Sequence, residues 1–170
     1  KATLHNEDNV ATKDIRIGDH VLLHKAGDVI PEIIKSLPEK RTGQERVFVM
    51  PHSCPECGTL ANRPEGEAAW RCPNRQCSAR VREGLEHFVS RQAMYIEGLG
   101  PQLLNQLLAA GKIKNAADIF QLTLDDLLPL ERMGQKSAQN VLDAIDKART
   151  RPLGALLAAL GIPYVGSRAG

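Results

Sequence analysis

The sequence predicts a multi-module α+β protein that begins with a partial β-barrel, continues with a small cysteine-bearing module and ends with an all-α domain. Three features indicate this organisation. β-rich runs dominate the first part of the chain, all 4 cysteines lie between positions 54 and 77, and an apolar repeat with helical spacing begins near Ser78. We therefore expect three domains, spanning residues 1–51, 52–78 and 79–170.

The composition favours several small modules over one large core. Of 170 residues, 42% are hydrophobic, 25% are charged and only 4% are aromatic, and the chain contains 14 glycines and 10 prolines. No apolar run approaches the roughly 20 residues that span a bilayer, and residues 1–10 lack the apolar stretch of a signal peptide. Because the chain starts at Lys1 and stops at Gly170 within an unfinished helical pattern, we expect a piece of a longer protein.

The first module reads as three strands with a short helical turn in front of them. Residues 6–13 fit a helical turn that Asn6 caps. Two β-rich runs, residues 15–25 and 29–34, flank a tight turn at residues 26–28, and a third run covers residues 46–50. Three strands in such a short segment favour a partial OB-like barrel, and Pro31 indicates a sheet edge or a bulge.

The turn between the first two runs has two interpretations. Lys25 and the hairpin beside it could lie at a nucleic-acid groove, or the hairpin could be an ordinary one with a solvated lysine. The strand pattern alone does not separate these interpretations.

The cysteines have the spacing that is typical of a small metal-binding module: C-x2-C is followed after 14 residues by C-x4-C. Four thiolates complete the tetrahedral shell that Zn²⁺ prefers, so we expect a structural four-cysteine zinc finger without an open catalytic position. The segment has too few apolar residues to fold without such a staple. Two disulfides are the alternative, and they would require an oxidising compartment. His52 is a further candidate ligand, and the four predicted ligands are Cys54, Cys57, Cys72 and Cys77.

The last module reads as helices joined by four glycine-bearing turns. Without a Cβ, glycine lets a backbone approach a phosphate closely, and the first amides of the following helix have no internal partner. Such turns predict sequence-independent contacts to a nucleic-acid backbone. The alternative is a plain helical bundle in which glycines end the helices. The turns contain Gly98 with Gly100, then Gly111, Gly134 and Gly166, and Leu99 is expected to anchor the first of them.

Charge adds a modest signal for an anionic partner. The net charge of +2 is too small to predict nucleic-acid binding, but residues 71–91 contain five arginines against two glutamates, a local excess of +3. Arginine suits phosphate because its planar fork donates two hydrogen bonds. A solvated surface explains the same residues, so charge alone leaves both interpretations open.

Several motifs together resemble bacterial NAD⁺-dependent DNA ligases. They are KATLHN at residues 1–6, AGDVIP at residues 26–31, the four-cysteine cluster, and HFVSR followed by IEGLG at residues 87–100. The resemblance covers essentially the whole chain and implies an OB-fold, a zinc finger and a tandem helix-hairpin-helix domain in this order. It also implies that the chain faces duplex DNA around a nick through Lys25, Val29, Ile30, Arg80, Gly98, Gly100, Gly111, Gly134, Lys136 and Gly166.

The resemblance also implies a chemistry whose nucleophile this chain lacks. In such ligases a lysine in a Lys-x-Asp-Gly motif attacks NAD⁺, AMP passes to the 5′-phosphate, and the 3′-OH seals the nick. Neither Lys13 nor Lys25 has that context, so we expect the chain alone to be inactive, with no catalytic residue and no contact to NAD⁺ or Mg²⁺. We expect a bacterial cytoplasmic, nucleoid-associated monomer that binds Zn²⁺ and nicked double-stranded DNA. Arg132 replaces the first glycine of the third hairpin, which is a departure from the family pattern.

Two other functions fit parts of the sequence. A protein-interaction module would use the zinc finger and helices to bind a partner, and it requires an exposed apolar patch. A nuclease would require clustered carboxylates for Mg²⁺. Adjacent acidic residues occur only at positions 7–8 and 125–126, and neighbours on a helix point in different directions. The nuclease is therefore the weaker hypothesis.

Overall fold

In a computed structural model of the protein, residues 1–25 and 30–162 are described, and the chain divides into two compact units, Lys1–Pro73 and Asn74–Gly170. The first unit contains short antiparallel sheets and one short α-helix, and the second is helical. The α+β character predicted from the sequence is therefore present. Among the described residues, no helix is both long enough and apolar enough to cross a membrane.

The first unit opens with helix α1, Glu7–Thr12. Its N-cap is Asn6, whose side-chain oxygen accepts a hydrogen bond from the amide of Asn9 at 2.9 Å. This side chain satisfies one of the amides that the first turn leaves without a partner. The helical turn and its cap, both predicted from the sequence, are confirmed.

Four short strands form two separate antiparallel pairs. Strand β2 (Val21–His24) pairs with β3 (Glu32–Ser36), and β1 (Arg16–Ile17) pairs with β4 (Arg46–Val47). The run predicted as one strand over residues 15–25 is broken, because Gly18 takes a φ of +99° that ends β1. The run predicted over residues 46–50 is a strand only for its first two residues.

Pro31 affects the second sheet differently from the prediction. Pro31 precedes β3 and does not lie in it, whereas the irregularity in the pairing register falls between Leu22 and Leu23 on the opposite strand. The carbonyl of Pro31 accepts a hydrogen bond from Thr3 at 2.8 Å. A 3-10 turn, Pro38–Lys40, follows β3. The turn predicted at residues 26–28 lies outside the described residues.

A buried carboxylate connects the loops of the first unit. The Asp19 side chain is 0% exposed and accepts two hydrogen bonds from Arg41, at 2.7 and 2.8 Å, and one from the Arg16 amide at 2.8 Å. Arg41 also contacts Asp14 at 2.7 Å. The hydrogen bonds from Arg41 are the main reason that the pKa of Asp19 falls to about 2.

A polar clasp joins α1 to residues 63–71, and it consists of Glu7, Asp8, Arg63 and Trp70. Both guanidinium Nη atoms of Arg63 donate to the Asp8 carboxylate, and the indole Nε1 of Trp70 donates to Glu7 at 2.7 Å. The ring of His52 stacks on Trp70 with a centroid distance of 4.4 Å. Trp70 therefore packs within this unit.

The second unit builds one apolar core from its helices. Leu104, Leu107, Ile119 and Leu127 are 0% exposed. The helices are α2 (Ser78–Val89), α3 (Pro101–Ala109), α4 (Ala116–Ile119), α5 (Leu124–Leu127), α6 (Gln135–Ala148) and α7 (Leu153–Ala159).

Two helices differ in length from the prediction. The apolar repeat in the sequence predicts a helix from Ser78 to about Ala93, but α2 ends at Val89, because Ser90 adopts an extended conformation with φ −66° and ψ 162°. The sequence also predicts one helix over residues 116–122, but α4 is shorter and a second short helix follows it. Thr123 begins that second helix with an extended conformation at its N-cap. Local capping therefore overrides the apolar repeat here.

Candidate metal centre and nucleic-acid interface

The four cysteines converge into one donor set. Their sulfur atoms all lie within 4.8 Å of one another, and the Sγ atoms of Cys57 and Cys72 are 3.6 Å apart. A tetrahedral Zn²⁺ with bonds of about 2.3 Å requires sulfur separations of about 3.8 Å, so the spacing suits such an ion. The four cysteines are therefore arranged to hold a metal ion.

The backbone around the first cysteine pair forms the tight turn that such a centre needs. The amide of Gly58 donates to the carbonyl of Cys54 at 2.9 Å, and the Cys54 amide donates to Thr59 at 2.8 Å. Gly58 has a φ of +70°, which favours glycine at this position. The turn thus presents Cys54 and Cys57 to the same side of the chain.

The remaining cysteines come from a second, separate stretch. An isolated antiparallel bridge between Asn62 and Arg71 brings the chain back immediately before Cys72. Cys77 precedes α2 as its N-cap residue and is 1% exposed. His52 is not a member of the donor set and stacks on Trp70 instead.

The first glycine hairpin leads from α2 into α3 over residues 96–100. Gly98 has a φ of +84°, and Leu99 is 1% exposed, as expected for the residue that anchors the turn. Gly100 is the N-cap of α3, without a capping side chain, and Pro101 occupies the first turn. The hairpin therefore leaves the opening amides of α3 without a side-chain cap.

A second hairpin at residues 131–134 repeats this backbone geometry. Arg132 has a φ of +60° and takes the position of Gly98, while Gly134 is the N-cap of α6, again without a capping side chain. The N-cap angles are similar, with φ −85° and ψ 178° at Gly100 and φ −91° and ψ 166° at Gly134. The two turns thus lead into their helices in the same way.

The two hairpins line one cleft of about 700 Å³. Gly98 and Gly100 line it from the first hairpin, and Glu131 and Arg132 line it from the second. The amide of Glu131 donates to the Gln106 side chain of α3 at 2.7 Å, which connects the second hairpin to the helix that the first one opens. The cleft is open to solvent, because both glycines and Arg132 are exposed.

Gly111 has a different role from Gly98, Gly100 and Gly134. It ends α3 with a φ of +67°, and its amide donates to Leu108 at 3.0 Å. The next helix, α4, is capped by Asn115 and Asp118, whose side chains accept hydrogen bonds from the backbone amides at its start. The geometry at Gly111 is the helix-ending glycine that the sequence left open as an alternative.

The other predicted contact residues are distributed along the chain. Lys25 is exposed just after β2, and Ile30 is 71% exposed. Arg80 is exposed on α2, and Lys136 is exposed in the first turn of α6. Val29 and Gly166 lie outside the described residues.

The sequence placed Arg132 at the first-glycine position of the third hairpin but did not include it among the predicted DNA contacts. A residue other than glycine rarely adopts a positive φ, and here Arg132 does so with a side chain that is 86% exposed. Residues 132–134 match residues 98–100, since an apolar residue and then a glycine follow the first position in both.

These features together define a modular metal-binding protein with a strand-rich segment before the metal centre and paired hairpins after it. Residues 1–45 match the family model described as NAD-dependent DNA ligase OB-fold domain, and residues 53–79 match the NAD-dependent DNA ligase C4 zinc finger domain.

Relatives named DNA ligase align with essentially the whole chain. The protein of Desulfitobacterium hafniense strain DCB-2 is 59% identical over 170 residues, which is 100% of this chain and 26% of the relative. Those of Thermoanaerobacter sp. strain X514 and Heliobacterium modesticaldum are 55% and 53% identical over 169 residues, 99% of this chain and 26% and 25% of the relatives. The chain thus spans about a quarter of the length of these curated relatives. It carries the OB-fold and C4 zinc finger domains of the NAD-dependent DNA ligase family, and the resemblance seen in the sequence is confirmed.

Proposed function

We propose that this chain is the part of an NAD⁺-dependent DNA ligase that grips duplex DNA around a nick. The longer enzyme joins a 5′-phosphate to a 3′-OH, and this part supplies position without chemistry. It contacts the sugar–phosphate backbone without reading bases. Lacking the Lys-x-Asp-Gly motif, it does not form the enzyme–AMP intermediate alone. It works as a monomer in the bacterial cytoplasm, at the nucleoid.

The observation that carries this proposal is the pair of matched hairpins around one cleft. Each opens a helix through a glycine N-cap that has no capping side chain, at Gly100 and at Gly134. The helix dipole adds partial positive charge where those amides lie. By contrast, in α4 the capping box of Asn115 and Asp118 already satisfies the first amides. The two glycine-led helices are therefore suited to phosphate, and residues 79–162 act as a helix-hairpin-helix domain.

Side chains add cations at the same positions. Arg132 belongs to the second hairpin, and Lys136 follows in the first turn of α6. The Glu131 carboxylate lies 3.9 Å from Arg132, but both side chains are more than three-quarters exposed, so water screens the pair. Lys25 and Ile30 in the first unit, and Arg80 on α2 in the second, are further proposed DNA contacts.

The metal centre has a structural role in this proposal. Zn²⁺ fits the four thiols of Cys54, Cys57, Cys72 and Cys77, which leave no open position for a reacting water. The ion would contribute folding free energy to a segment with little apolar core. NAD⁺ and Mg²⁺ belong to the longer enzyme.

Fluorescence anisotropy with a labelled nicked duplex and an intact duplex, at rising salt, tests the proposal. We expect binding to fall steeply with salt, with a slope close to the number of phosphates neutralised. Lys136→Glu should weaken binding and lower the slope, while Lys40→Glu, which changes an exposed lysine of the 3-10 turn, is the matched control. Binding that is insensitive to salt, or equal for wild type and Lys136→Glu, would contradict the proposal.

A further inference from the structure

The second unit contains a groove separate from the hairpin cleft. It has a volume of about 750 Å³ and lies between one face of α2 and one face of α3. Ser78, Val81 and Arg82 line it from α2, and Asn105, Leu108 and Ala109 line it from α3. Both sets have the i, i+3, i+4 spacing of one helix face.

The groove combines an apolar floor with a cationic rim. Val81 and Leu108 are half-buried and pack on the core, and Ile113 below them is 1% exposed. Arg75, Arg82 and Lys114 are its charged lining residues, and no acidic residue lines it. Across the described ranges 1–25 and 30–162, none of these three cations belongs to a side-chain ion pair.

The groove differs from the hairpin cleft in the ligand that it suits. The cleft is lined by glycine hairpins and includes the acidic residue Glu131, whereas every charged residue that lines the groove is a cation. The two share Asn105 as a lining residue in the described part of the chain, so they adjoin without being one site. A phosphodiester strand has no large apolar group to fill such a floor, but a peptide with both apolar and acidic side chains has one.

We propose that this groove binds an acidic, apolar peptide segment of a partner protein. Apolar side chains of the segment cover Val81, Leu108 and Ala109, and its carboxylates pair with Arg75, Arg82 and Lys114. The rim charges fix the orientation and select against basic partners. This gives the chain a second docking function, which stands apart from its proposed contact with DNA.

A fluorescein-labelled synthetic peptide, in which leucine and phenylalanine alternate with glutamate, tests the proposal by anisotropy against the full 170-residue chain. Arg82→Glu reverses one rim charge, and Ala109→Trp fills the floor from an exposed position. Each should weaken peptide binding by about tenfold. Lys40→Glu changes an exposed cation in the first unit and should leave binding unchanged. Circular dichroism checks that each variant is folded, and Lys114→Glu replaces any variant that is not.

Competition with DNA separates this proposal from the proposed function. We expect an unlabelled nicked duplex to leave the peptide bound, and Lys136→Glu to weaken DNA binding without affecting the peptide. Absence of saturable peptide binding, or equal binding by wild type and the groove variants, would overturn the proposal. The proposal would also be overturned if the duplex displaced the peptide and Arg82→Glu weakened DNA binding as much as peptide binding. These two results would assign the groove to the DNA surface.

Discussion

Replacing Gly98 and Gly100 by alanine, one at a time, separates folding from binding at the first hairpin. The two glycines are two residues apart and line the same cleft, but their surroundings differ. Gly98 has a φ of +84°, and a Cβ there would lie 3.0 Å from Cγ2 of Val141. Gly100 has a φ of −85°, and a Cβ there would meet no atom within 4 Å.

The expected loss of stability follows from these two surroundings. In Gly98→Ala the left-handed backbone costs about 1 kcal/mol, and crowding of Val141, which is 3% exposed in the core, costs about 1 kcal/mol more. The sum of about 2 kcal/mol corresponds to a drop in Tm of about 10 °C for a unit of this size. Gly100→Ala should change stability by less than about 0.5 kcal/mol, because a poorer N-cap offsets the lower entropy of the unfolded chain.

Urea unfolding followed by far-ultraviolet circular dichroism measures the free energies of unfolding, and anisotropy measures duplex binding. We expect both variants to bind DNA more weakly, because each adds a methyl group where a phosphate backbone must approach. Val141→Ala, combined with Gly98→Ala in a double-mutant cycle, isolates the crowding contribution.

The reasoning would be refuted by a Gly98→Ala variant with the stability of the wild type. It would equally be refuted if Gly100→Ala lost as much stability as Gly98→Ala. If Gly100→Ala bound duplex as tightly as the wild type, the proposed contact between this hairpin and phosphate would be contradicted. The explanation of the stability difference would not be affected.

Three further predictions concern other parts of the chain. Cys72→Ser should release the metal and unfold residues 52–73, because a structural zinc contributes on the order of 10 kcal/mol; unchanged metal content by atomic absorption would contradict this. Asp19→Asn should lower Tm at neutral pH, and the difference in Tm from wild type should shrink as pH falls from about 4 to about 2. The reason is that the pKa of this carboxyl is 3.8 when free and about 2 in the fold. Melting curves at a series of pH values measure this, and a constant difference in Tm across that window would exclude the Arg41 contact as its cause. Arg132→Gly should raise stability by up to about 1 kcal/mol, because glycine tolerates the positive φ, and should reduce the salt slope of DNA binding by about one; a lower Tm or an unchanged slope would count against it.

Much of the second unit was predictable because its apolar repeat is regular. The stripe at Leu85, Phe88 and Val89 predicts the buried face of α2, and these three residues are buried. The end of α2 was not predictable, because the repeat continues through Ala93 and Met94, which are buried without being helical. A repeat of apolar residues indicates which positions are buried, but buried positions occur both in α2 and in the loop that follows it.

The sheets of the first unit were harder to predict. The apolar run from Val21 to Leu23 has strand composition, and the pairing of β2 with β3 follows from it. The pairing of β1 with β4 joins residues about thirty positions apart, and no local signal encodes such a contact. The same holds for the contact between Asp19 and Arg41, which the sequence does not indicate.

The cysteine spacing was the most informative local signal, whereas the hairpins show what the local sequence does not reveal. Spacing alone indicated that four thiols would meet, since few other geometries satisfy them. Gly98 and Gly111 both belong to the predicted glycine-bearing turns between helices, but one shapes a turn into a helix and the other ends a helix. What separates them is the cap of the next helix, where Asn115 replaces glycine.

The polar clasp has a thermodynamic consequence for metal loading. Arg63 and Trp70 come from the stretch between the cysteine pairs, yet their partners Asp8 and Glu7 are on α1, more than fifty positions earlier. Metal binding that orders this stretch should therefore also stabilise helix α1. By thermodynamic reciprocity, a stably folded α1 should raise the affinity of the cysteines for the metal ion. Amide hydrogen exchange at the start of the chain would thus report how fully a distant thiolate site is loaded.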